Sequence, residues 1–279
     1  MLNSDTVIFA VLGDPVSHSL SPVMHNTALS EVGYNGVYHA FKVKDIGGAV
    51  SGIKALGIRG ASITIPHKVS VIEFLDELDD TAGKIGAVNT VINRHGILTG
   101  YNSDCLGAIK AILEKTTIKD KNVVIIGAGG AARAIGFGIM SQGGMVTILN
   151  RTGAKGERLA RHLGAEFHPI SNLKNTGCQI LINTTPVGMI PDTNMMPVQR
   201  EDLDKTMVVM DVVYNPLKTR LLREAENIGC RTVDGVSMFV YQGAFQFELW
   251  TGKRAPVEVM KKAVLKALGK GDEGINNNG

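Results

Sequence analysis

The chain has 279 residues, of which 44% are hydrophobic and 20% charged, and this balance excludes an intrinsically disordered protein. Its 29 basic and 26 acidic residues leave a net charge of +3 without a long run of one sign. This argues against nucleic acids and membrane surfaces as partners and favours small molecules.

Three widely spaced cysteines indicate neither a disulfide framework nor a paired metal or redox motif. The N-terminal segment lacks a basic leader, and no stretch has the roughly 18 apolar residues of a membrane span. We therefore expect a cytoplasmic protein with a flexible polar tail at residues 271–279. The sequence is compatible with a homodimer but does not determine the oligomeric state.

Short β-branched runs alternate with longer amphipathic stretches, which is typical of βαβ units. The predicted strands are residues 7–13, 36–43, 61–66, 123–127, 145–150, 179–184 and 208–213. The pattern changes at residues 88–92 and 96–99, which indicate a β-hairpin around Asn93, Arg94 and His95.

This interruption predicts an α/β protein of two domains. Residues 1–104 would form an N-terminal α/β substrate-binding and catalytic domain, completed by C-terminal helices at 236–270. Residues 105–235 would form a Rossmann-type, doubly wound nucleotide-binding domain.

A glycine-rich loop follows the apolar run 123–126 and opens a predicted helix through Met140. Gly127 allows a tight turn, Gly129 lets a pyrophosphate approach the backbone, and the small Ala132 permits close helix–strand packing. The helix N-terminus supplies free N–H groups to phosphates. The loop therefore predicts a nicotinamide dinucleotide site, and its residues are Gly127, Ala128, Gly129, Gly130, Ala131 and Ala132.

The next strand ends in Asn150, Arg151 and Thr152, where an NAD-binding protein usually carries an acid for the ribose 2′-hydroxyl. The Arg151 guanidinium can instead hold a 2′-phosphate, with Thr152 and Lys155 as further donors. This favours NADP. The alternative is that Arg151 and Lys155 are a solvated helix start, although lysine is poorly matched to a helix N-terminus.

The first predicted strand is followed by a polar cluster. Ser21 before Pro22 predicts a helix N-cap followed by a proline at the first helical position. Capping leaves Ser17, His18 and Ser19 at the carboxyl end of the strand, where α/β sheets bind ligands.

Lys68 follows the third predicted strand and can donate a proton to a carbonyl oxygen as hydride arrives. A solvated lysine at a helix start is the alternative. Asp104 either caps the following helix or pairs with Lys68 and binds substrate hydroxyls. Position alone does not separate these two interpretations.

From Val11 to Leu265 the sequence resembles the shikimate dehydrogenase family. The resemblance rests on the segments GDPVSHSLSPVMH at 13–25, TIPHK at 64–68, GAVNT at 86–90, NSD at 102–104, GAGGAAR at 127–133, NRT at 150–152, NTTPVGM at 183–189, DVVYNP at 211–216 and residues 234–242.

The resemblance implies reversible, NADPH-dependent reduction of 3-dehydroshikimate to shikimate, in chorismate and aromatic amino acid biosynthesis, without a metal. It places the active site in a cleft between the domains, with Lys68 and Asp104 as the catalytic pair. It also implies residues that bind the substrate and residues that border the nicotinamide. Ser19 and Ser21 would bind the carboxylate, Thr64, Asn89, Asp104 and Gln242 the ring hydroxyls, Tyr214 would border the substrate, and the backbone near Val212 and Gly235 would line the nicotinamide.

Three positions depart from or vary within the family pattern. Cys105 stands where members often have glycine, and Lys155 stands where they often have arginine, which moderates the preference for NADP. His67 occupies a variable position and is assigned no catalytic role.

Two alternatives stay open, a quinate/shikimate dehydrogenase and a non-catalytic NADP-binding regulator. The missing acid near Arg151 argues against the first, and the intact Lys68 and Asp104 argue against the second.

Overall fold

The computed structural model describes residues 3–275, with side chains described for residues 3–269. The described chain divides into two compact units, one up to Ser103 and again from Gln242, the other Asp104–Tyr241. The sequence analysis predicts the two boundaries between these units at 104/105 and 235/236. Searched over the described residues, no helix combines the length and the apolar character that crossing a bilayer requires.

The strands and helices are numbered here in chain order. The strands are β1 Val7–Gly13, β2 Gly36–Lys42, β3 Gly60–Ile63, β4 Glu77–Leu78, β5 Thr90–Arg94, β6 Ile97–Tyr101, β7 Asn122–Ile126, β8 Met145–Leu149, β9 Glu166–His168, β10 Ile180–Asn183, β11 Val208–Asp211 and β12 Arg231–Val233. The helices are α1 Ser21–Glu31, α2 Ile46–Ala55, α3 Asp80–Ile85, α4 Ser103–Leu113, α5 Gly130–Ser141, α6 Gly153–Leu163, α7 Arg220–Ile228, α8 Gly235–Thr251 and α9 Val257–Ile275. Short 3₁₀ helices cover Ser70–Phe74, Ile170–Thr176 and Arg200–Asp202.

The first unit contains a mixed sheet in the order β2-β1-β3-β5-β6-β4. β1 pairs in parallel with β2 and β3, whereas β5 runs antiparallel to β3 and β6. Ala10 and Leu12 of β1 join one buried apolar cluster with α2, because alternate residues of a strand face the same side of the sheet. Helix α9 packs against α1.

The second unit contains a fully parallel sheet in the order β12-β11-β10-β7-β8-β9. Val123 and Ile125 of β7 pack into one apolar cluster, and Val124 and Ile126 pack into another. Both faces of the sheet are therefore buried, which explains the uninterrupted apolar run. Chain order reverses between β7 and β10, so ligands are expected at the carboxyl ends of these two strands.

The structure corrects three details of the sequence prediction. The hairpin turn is His95-Gly96, with φ of 55° and 90°, rather than Asn93 to His95. Two residues with positive φ match the right-handed twist of the strands, so Gly96 belongs to the turn and not to the second strand. The third strand ends at Ile63 instead of Pro66, and proline has no N–H with which to extend the ladder to that residue.

The tail predicted at 271–279 overlaps helix α9, whose backbone continues to Ile275. Residues 276–279 lie outside the described residues.

Candidate active site

The loops after β1 and β3 contact each other at the carboxyl edge of the first sheet. The Asp14 N–H donates to the Ile65 carbonyl oxygen at 2.9 Å. A Cβ on Gly13 would lie 2.3 Å from Cγ2 of Thr64, so only glycine fits there. This close packing brings Thr64 to the end of β1.

Ser21 is buried in the first turn of α1 rather than at its N-cap, and the capping prediction was wrong. Leu20 holds the cap position without a side-chain hydrogen bond, because helical geometry already begins at Ser21. The Ser19 hydroxyl accepts from the Ser21 N–H at 3.3 Å. Ser19 also lines a cleft of about 360 Å³, together with Asp14, Ser17, Lys42 and neighbouring apolar side chains.

Lys68 is half-buried, and its backbone is fixed next to the loop that carries Asn89. Its carbonyl oxygen accepts from the Val88 N–H at 2.7 Å. His67 is buried, with Nε2 2.8 Å from the Val43 carbonyl oxygen, so its ring has a structural contact.

Asn89 and Gln242 meet in a buried hydrogen-bonded group. The Asn89 Oδ1 accepts from the Ser103 N–H and the Thr90 hydroxyl, both at 2.7 Å. The Gln242 Oε1 accepts from the Ser103 hydroxyl at 3.2 Å and from the Asn89 Nδ2 at 3.4 Å. Ser103, to which the sequence analysis gave no role, therefore holds both predicted hydroxyl-binding amides.

A second buried group lies beside it and was not foreseen. The Gln246 Nε2 donates to the Thr90 hydroxyl at 2.9 Å, and its Oε1 accepts from the Ser62 hydroxyl at the same distance. The Tyr38 hydroxyl donates to Ser62 at 2.7 Å. The one available signal was the spacing of Gln246 four residues after Gln242 on α8, which puts both amides on one helix face.

Tyr38 also stacks on His25, with ring centroids 4.5 Å apart. Burial lowers the pKa of His25 to about 3, although the Gln246 side chain opposes this shift. The imidazole is thus neutral, and its Nε2 has no hydrogen-bond partner among the described residues.

In the second unit, Asp104 is buried within the first turn of α4. Because the helix begins at Ser103, Asp104 does not occupy the N-cap position, although a carboxylate in the first turn favours the helix dipole. Next to it, burial raises the pKa of the Cys105 thiol to about 11, with a further contribution from the Asp104 charge. A Cβ on Gly138 of α5 would lie 2.8 Å from the Cys105 sulfur, so this glycine accommodates the cysteine.

The glycine-rich loop joins β7 to α5 as predicted. Gly127 has φ of 115°, and a Cβ there would lie 2.5 Å from the Thr184 hydroxyl oxygen. Gly129 precedes the first helical residue, Gly130, and nothing lies within 4 Å of a Cβ built on it. Ala132 is fully buried. Open space above Gly129 at a helix N-terminus fits a pyrophosphate.

The residues after β8 fit the 2′-phosphate of NADP. Arg151, Thr152 and Lys155 are exposed, and none of the ion pairs of the described residues includes Arg151 or Lys155. Thr152 is the N-cap residue of α6, yet its hydroxyl makes no capping hydrogen bond. The Asn150 Nδ2 donates to the Thr152 carbonyl oxygen at 2.8 Å and holds this segment.

The remaining predicted residues of this unit follow β11 and open α8. The Val212 N–H donates to the Asn183 carbonyl oxygen at 3.0 Å. Tyr214 stacks on Phe239 with centroids 4.5 Å apart. A Cβ on Gly235 would lie 2.5 Å from the Val213 carbonyl oxygen, so glycine is required for this approach.

The sequence analysis gave no role to Asn183 and Asp211, which are fully buried at the ends of β10 and β11. The sequence pattern that could have identified them is a single polar residue at the end of each apolar strand. Among the described side chains, no three His, Cys, Asp or Glu residues are grouped as metal ligands would be.

Three family models match the chain. The shikimate dehydrogenase substrate binding domain matches residues 11–91, the shikimate/quinate 5-dehydrogenase model matches residues 109–236, and the shikimate 5′-dehydrogenase C-terminal domain matches residues 235–265.

Individual relatives match over almost the whole chain. The NADP(+) shikimate dehydrogenase of Pyrococcus abyssi is 46% identical over 266 residues, covering 95% of this chain and 99% of the relative. A crystal structure of a shikimate dehydrogenase in complex with NADP+ matches with a TM-score of 0.92 at 42% identity, covering 96% of this chain and 98% of that one. The Thermus thermophilus enzyme, solved with NADP(H) and shikimate, matches with a TM-score of 0.88 at 36% identity, covering 94% and 100%.

Proposed function

The chain belongs to the shikimate dehydrogenase family, and we propose that it interconverts 3-dehydroshikimate and shikimate with NADPH and NADP at the residues described above. The observation that carries this proposal is that backbone hydrogen bonds join the segments of Thr64 and Lys68 to the segment of Asn89, and that the Asn89 amide contacts Gln242. A ring with several hydroxyls and a carbonyl needs such a mixture of hydroxyl, amide and ammonium groups.

Substrate binding is assigned to the polar groups of the first unit. Ser19 and Ser21 bind the carboxylate, in keeping with their adjacent positions at the start of α1. Thr64, Asn89 and Gln242 bind the ring hydroxyls. Because Ser103 and Thr90 already fix the orientation of the Asn89 amide, little side-chain entropy remains to be lost on binding.

Catalysis is assigned to Lys68 and Asp104. When bound, the nicotinamide of NADPH supplies hydride to the C3 carbonyl carbon. The Lys68 ammonium stabilises the developing alkoxide and gives it a proton, and in the reverse direction the amine accepts the proton of the C3 hydroxyl. The Asp104 carboxylate accepts hydrogen bonds from substrate hydroxyls and orients the ring. Tyr214 borders the substrate.

The cofactor is held by the second unit. The loop from Gly127 to Ala132 and the N-terminus of α5 bind the pyrophosphate. Arg151, Thr152 and Lys155 bind the 2′-phosphate, and Asn150 holds their segment. The backbone at Val212 and Gly235 lines the nicotinamide.

Steady-state rates with shikimate and quinate, each with NADP and NAD, test the substrate and the cofactor together. We expect the highest kcat/KM for shikimate with NADP. A higher value for quinate with NAD would replace the proposal by a quinate dehydrogenase.

Replacing Lys68 with alanine tests the catalytic assignment against a non-catalytic regulator. We expect kcat to fall by at least about 10²-fold, because the proton donor is lost, with NADP affinity within about twofold. Lys44→Ala removes an exposed lysine of the same unit and serves as the control. Full activity of Lys68→Ala would contradict the assignment, and an inactive unchanged chain would favour the regulator.

The proposed compartment is the reducing cytoplasm. Cys105, Cys178 and Cys230 are buried and form no disulfide, which is compatible with reduced thiols. Fractionation of the source cells, with immunodetection of the protein, tests the compartment.

A further inference from the structure

Asp211 is a fully buried carboxylate that none of the assignments above uses. Its Oδ1 accepts from the Asn183 Nδ2 at 3.0 Å and from the Val213 N–H at 3.1 Å. Its Oδ2 accepts from the Thr219 hydroxyl at 2.7 Å. All three partners are donors, so the acceptor atoms of a carboxylate are what this position requires.

The contact with Asn183 extends to the loop after β10. The Asn183 Oδ1 accepts from the Thr185 N–H at 3.0 Å and from the Thr185 hydroxyl at 2.7 Å. Its Nδ2 also donates to the Val187 carbonyl oxygen at 3.3 Å. One buried amide, oriented by Asp211, therefore fixes the first turn of this loop.

The same loop contacts the glycine-rich turn. The Thr184 hydroxyl donates to the Ile126 carbonyl oxygen at 2.6 Å and leaves no room for a Cβ on Gly127. The start of the loop after β10 and the turn above the pyrophosphate thus form one packed structure.

The hydrogen bond from the Val213 N–H to Asp211 also connects to Gly235, the second residue whose backbone is proposed to line the nicotinamide. Asp211 fixes the peptide between Val212 and Val213, and Gly235 packs directly against that peptide. Asp211 is therefore linked to three backbone segments. These are residues 183–187 through Asn183, residues 212–213 directly, and the start of α8 through the contact of Gly235 with Val213.

We propose that Asp211 is a positioning residue that places the backbone around the nicotinamide half of NADP, acting through Asn183 and Val213. The inference rests on the proposed function, because that function assigns Val212 and Gly235 to the nicotinamide. Asp211 itself does not touch the cofactor in this scheme, and it does not act on the adenine half, which Arg151 and the residues after β8 bind.

The energetic cost of this carboxylate supports the inference. Burial raises the pKa of Asp211 to about 6, even though its hydrogen bonds to Thr219, Val213 and Asn183 oppose the shift. A buried charge is costly compared with an apolar side chain of similar size. A carboxylate at this position is therefore explained by the three donors that it orients, and not by its packing in the core.

The test compares two ligands on the full-length protein by isothermal titration calorimetry. NADP contacts both halves of the site, whereas adenosine 2′,5′-bisphosphate carries the adenine half and lacks nicotinamide. In Asp211→Ala we expect NADP affinity to fall about tenfold and affinity for the bisphosphate to stay within about twofold.

Two further variants separate positioning from folding. In Asp211→Asn the amide oxygen still accepts from Asn183 and Val213, but the Thr219 hydroxyl loses its carboxylate acceptor. We therefore expect a smaller loss of NADP affinity than in Asp211→Ala, with unchanged affinity for the bisphosphate. Thr219→Val removes one donor at constant shape, and we expect a smaller loss that again affects NADP alone. If Asp211→Ala does not fold, Thr219→Val decides.

Equal losses for both ligands, or unchanged NADP affinity in the variants that fold, would overturn the positioning role. Failure of the unchanged chain to bind the bisphosphate would instead overturn the proposed cofactor site, so the two failures are distinguishable.

Discussion

Replacing Arg151 with serine should lower the preference of the site for NADP over NAD about tenfold. The side chain is exposed and directly follows β8, and no carboxylate of the described residues pairs with it. Its charge is therefore available to a phosphate in the unliganded chain, and removal of the guanidinium breaks no internal ion pair.

The expected magnitude follows from the kind of bond that is lost. A hydrogen bond to a charged group contributes about 1.5–3 kcal/mol. Because Arg151 is exposed, solvent screening favours the lower end of this range. About 1.4 kcal/mol corresponds to a factor of ten, so the KM for NADP should rise about tenfold, and Lys155 and Thr152 retain part of the preference. The KM for NAD should stay within about twofold, since NAD carries no 2′-phosphate.

The assay is initial-rate kinetics with saturating shikimate and varied NADP or NAD. Arg161→Ser removes the same charge from the last turn of α6 and is the matched control. Raising the salt concentration should weaken NADP binding more in the unchanged chain than in Arg151→Ser, because exposed charges are screened. Equal changes in the two KM values, or a similar effect of Arg161→Ser, would refute the assignment of Arg151 to the 2′-phosphate.

Three further predictions concern stability and reactivity. Gly60→Ala should lower the free energy of unfolding, measured in urea, by about 1–3 kcal/mol, because the new Cβ would lie 2.3 Å from the indole nitrogen of Trp250. The control is Gly52→Ala in α2, where the new Cβ meets open space and should slightly stabilise the protein. Burial lowers the pKa of His25 to about 3, so below pH 6.5 protons bind this imidazole in the unfolded chain but not in the folded one. The free energy of unfolding should therefore fall as the pH drops below 6.5, by about 2 kcal/mol at pH 5. In a urea-denaturation series against pH, His25→Phe should flatten this part of the curve, and an unchanged slope would contradict the prediction. Burial raises the pKa of all three thiols, so Ellman's reagent should react slowly with the native chain and rapidly after unfolding in guanidinium; fast native labelling would contradict their burial.

The phosphate-binding end of the cofactor site could be predicted from the sequence because its determinants are local. The apolar run of β7, the small residues after it and the start of α5 are contiguous, and each has its own physical reason. The structure adds why Gly127 is glycine, since the Thr184 hydroxyl occupies the space beside it. That contact joins residues on two strands, and no local pattern encodes it.

The residues around the proposed substrate site were predictable only in part. The motif residues Thr64, Asn89 and Gln242 were identified, but the partners that orient them were not. Ser62 and Gln246 are 184 positions apart and hydrogen-bonded, so their pairing depends on how α8 packs over β3 and β5. The N-cap prediction for Ser21 was wrong for a different reason, because the sequence places a helix start only to within about a residue. In the structure the Ser21 N–H instead donates to the Ser19 hydroxyl.

Strand-terminal polar residues explain how a parallel sheet can hold flexible loops in a defined shape. Apolar side chains fill β10 and β11 up to their last residues, Asn183 and Asp211, which are as buried as the core before them. A polar group at that depth must be satisfied, and here its partners are loop backbone and the N-cap of α7. The need to satisfy these groups therefore transmits the rigidity of the sheet to the loops. The same logic applies in the first unit, where Asn89 precedes β5 and accepts from the first residue of α4. In the second unit the side chains that orient the loops are distinct from those proposed to bind NADP, whereas in the first unit Asn89 both orients the start of α4 and is proposed to bind the substrate.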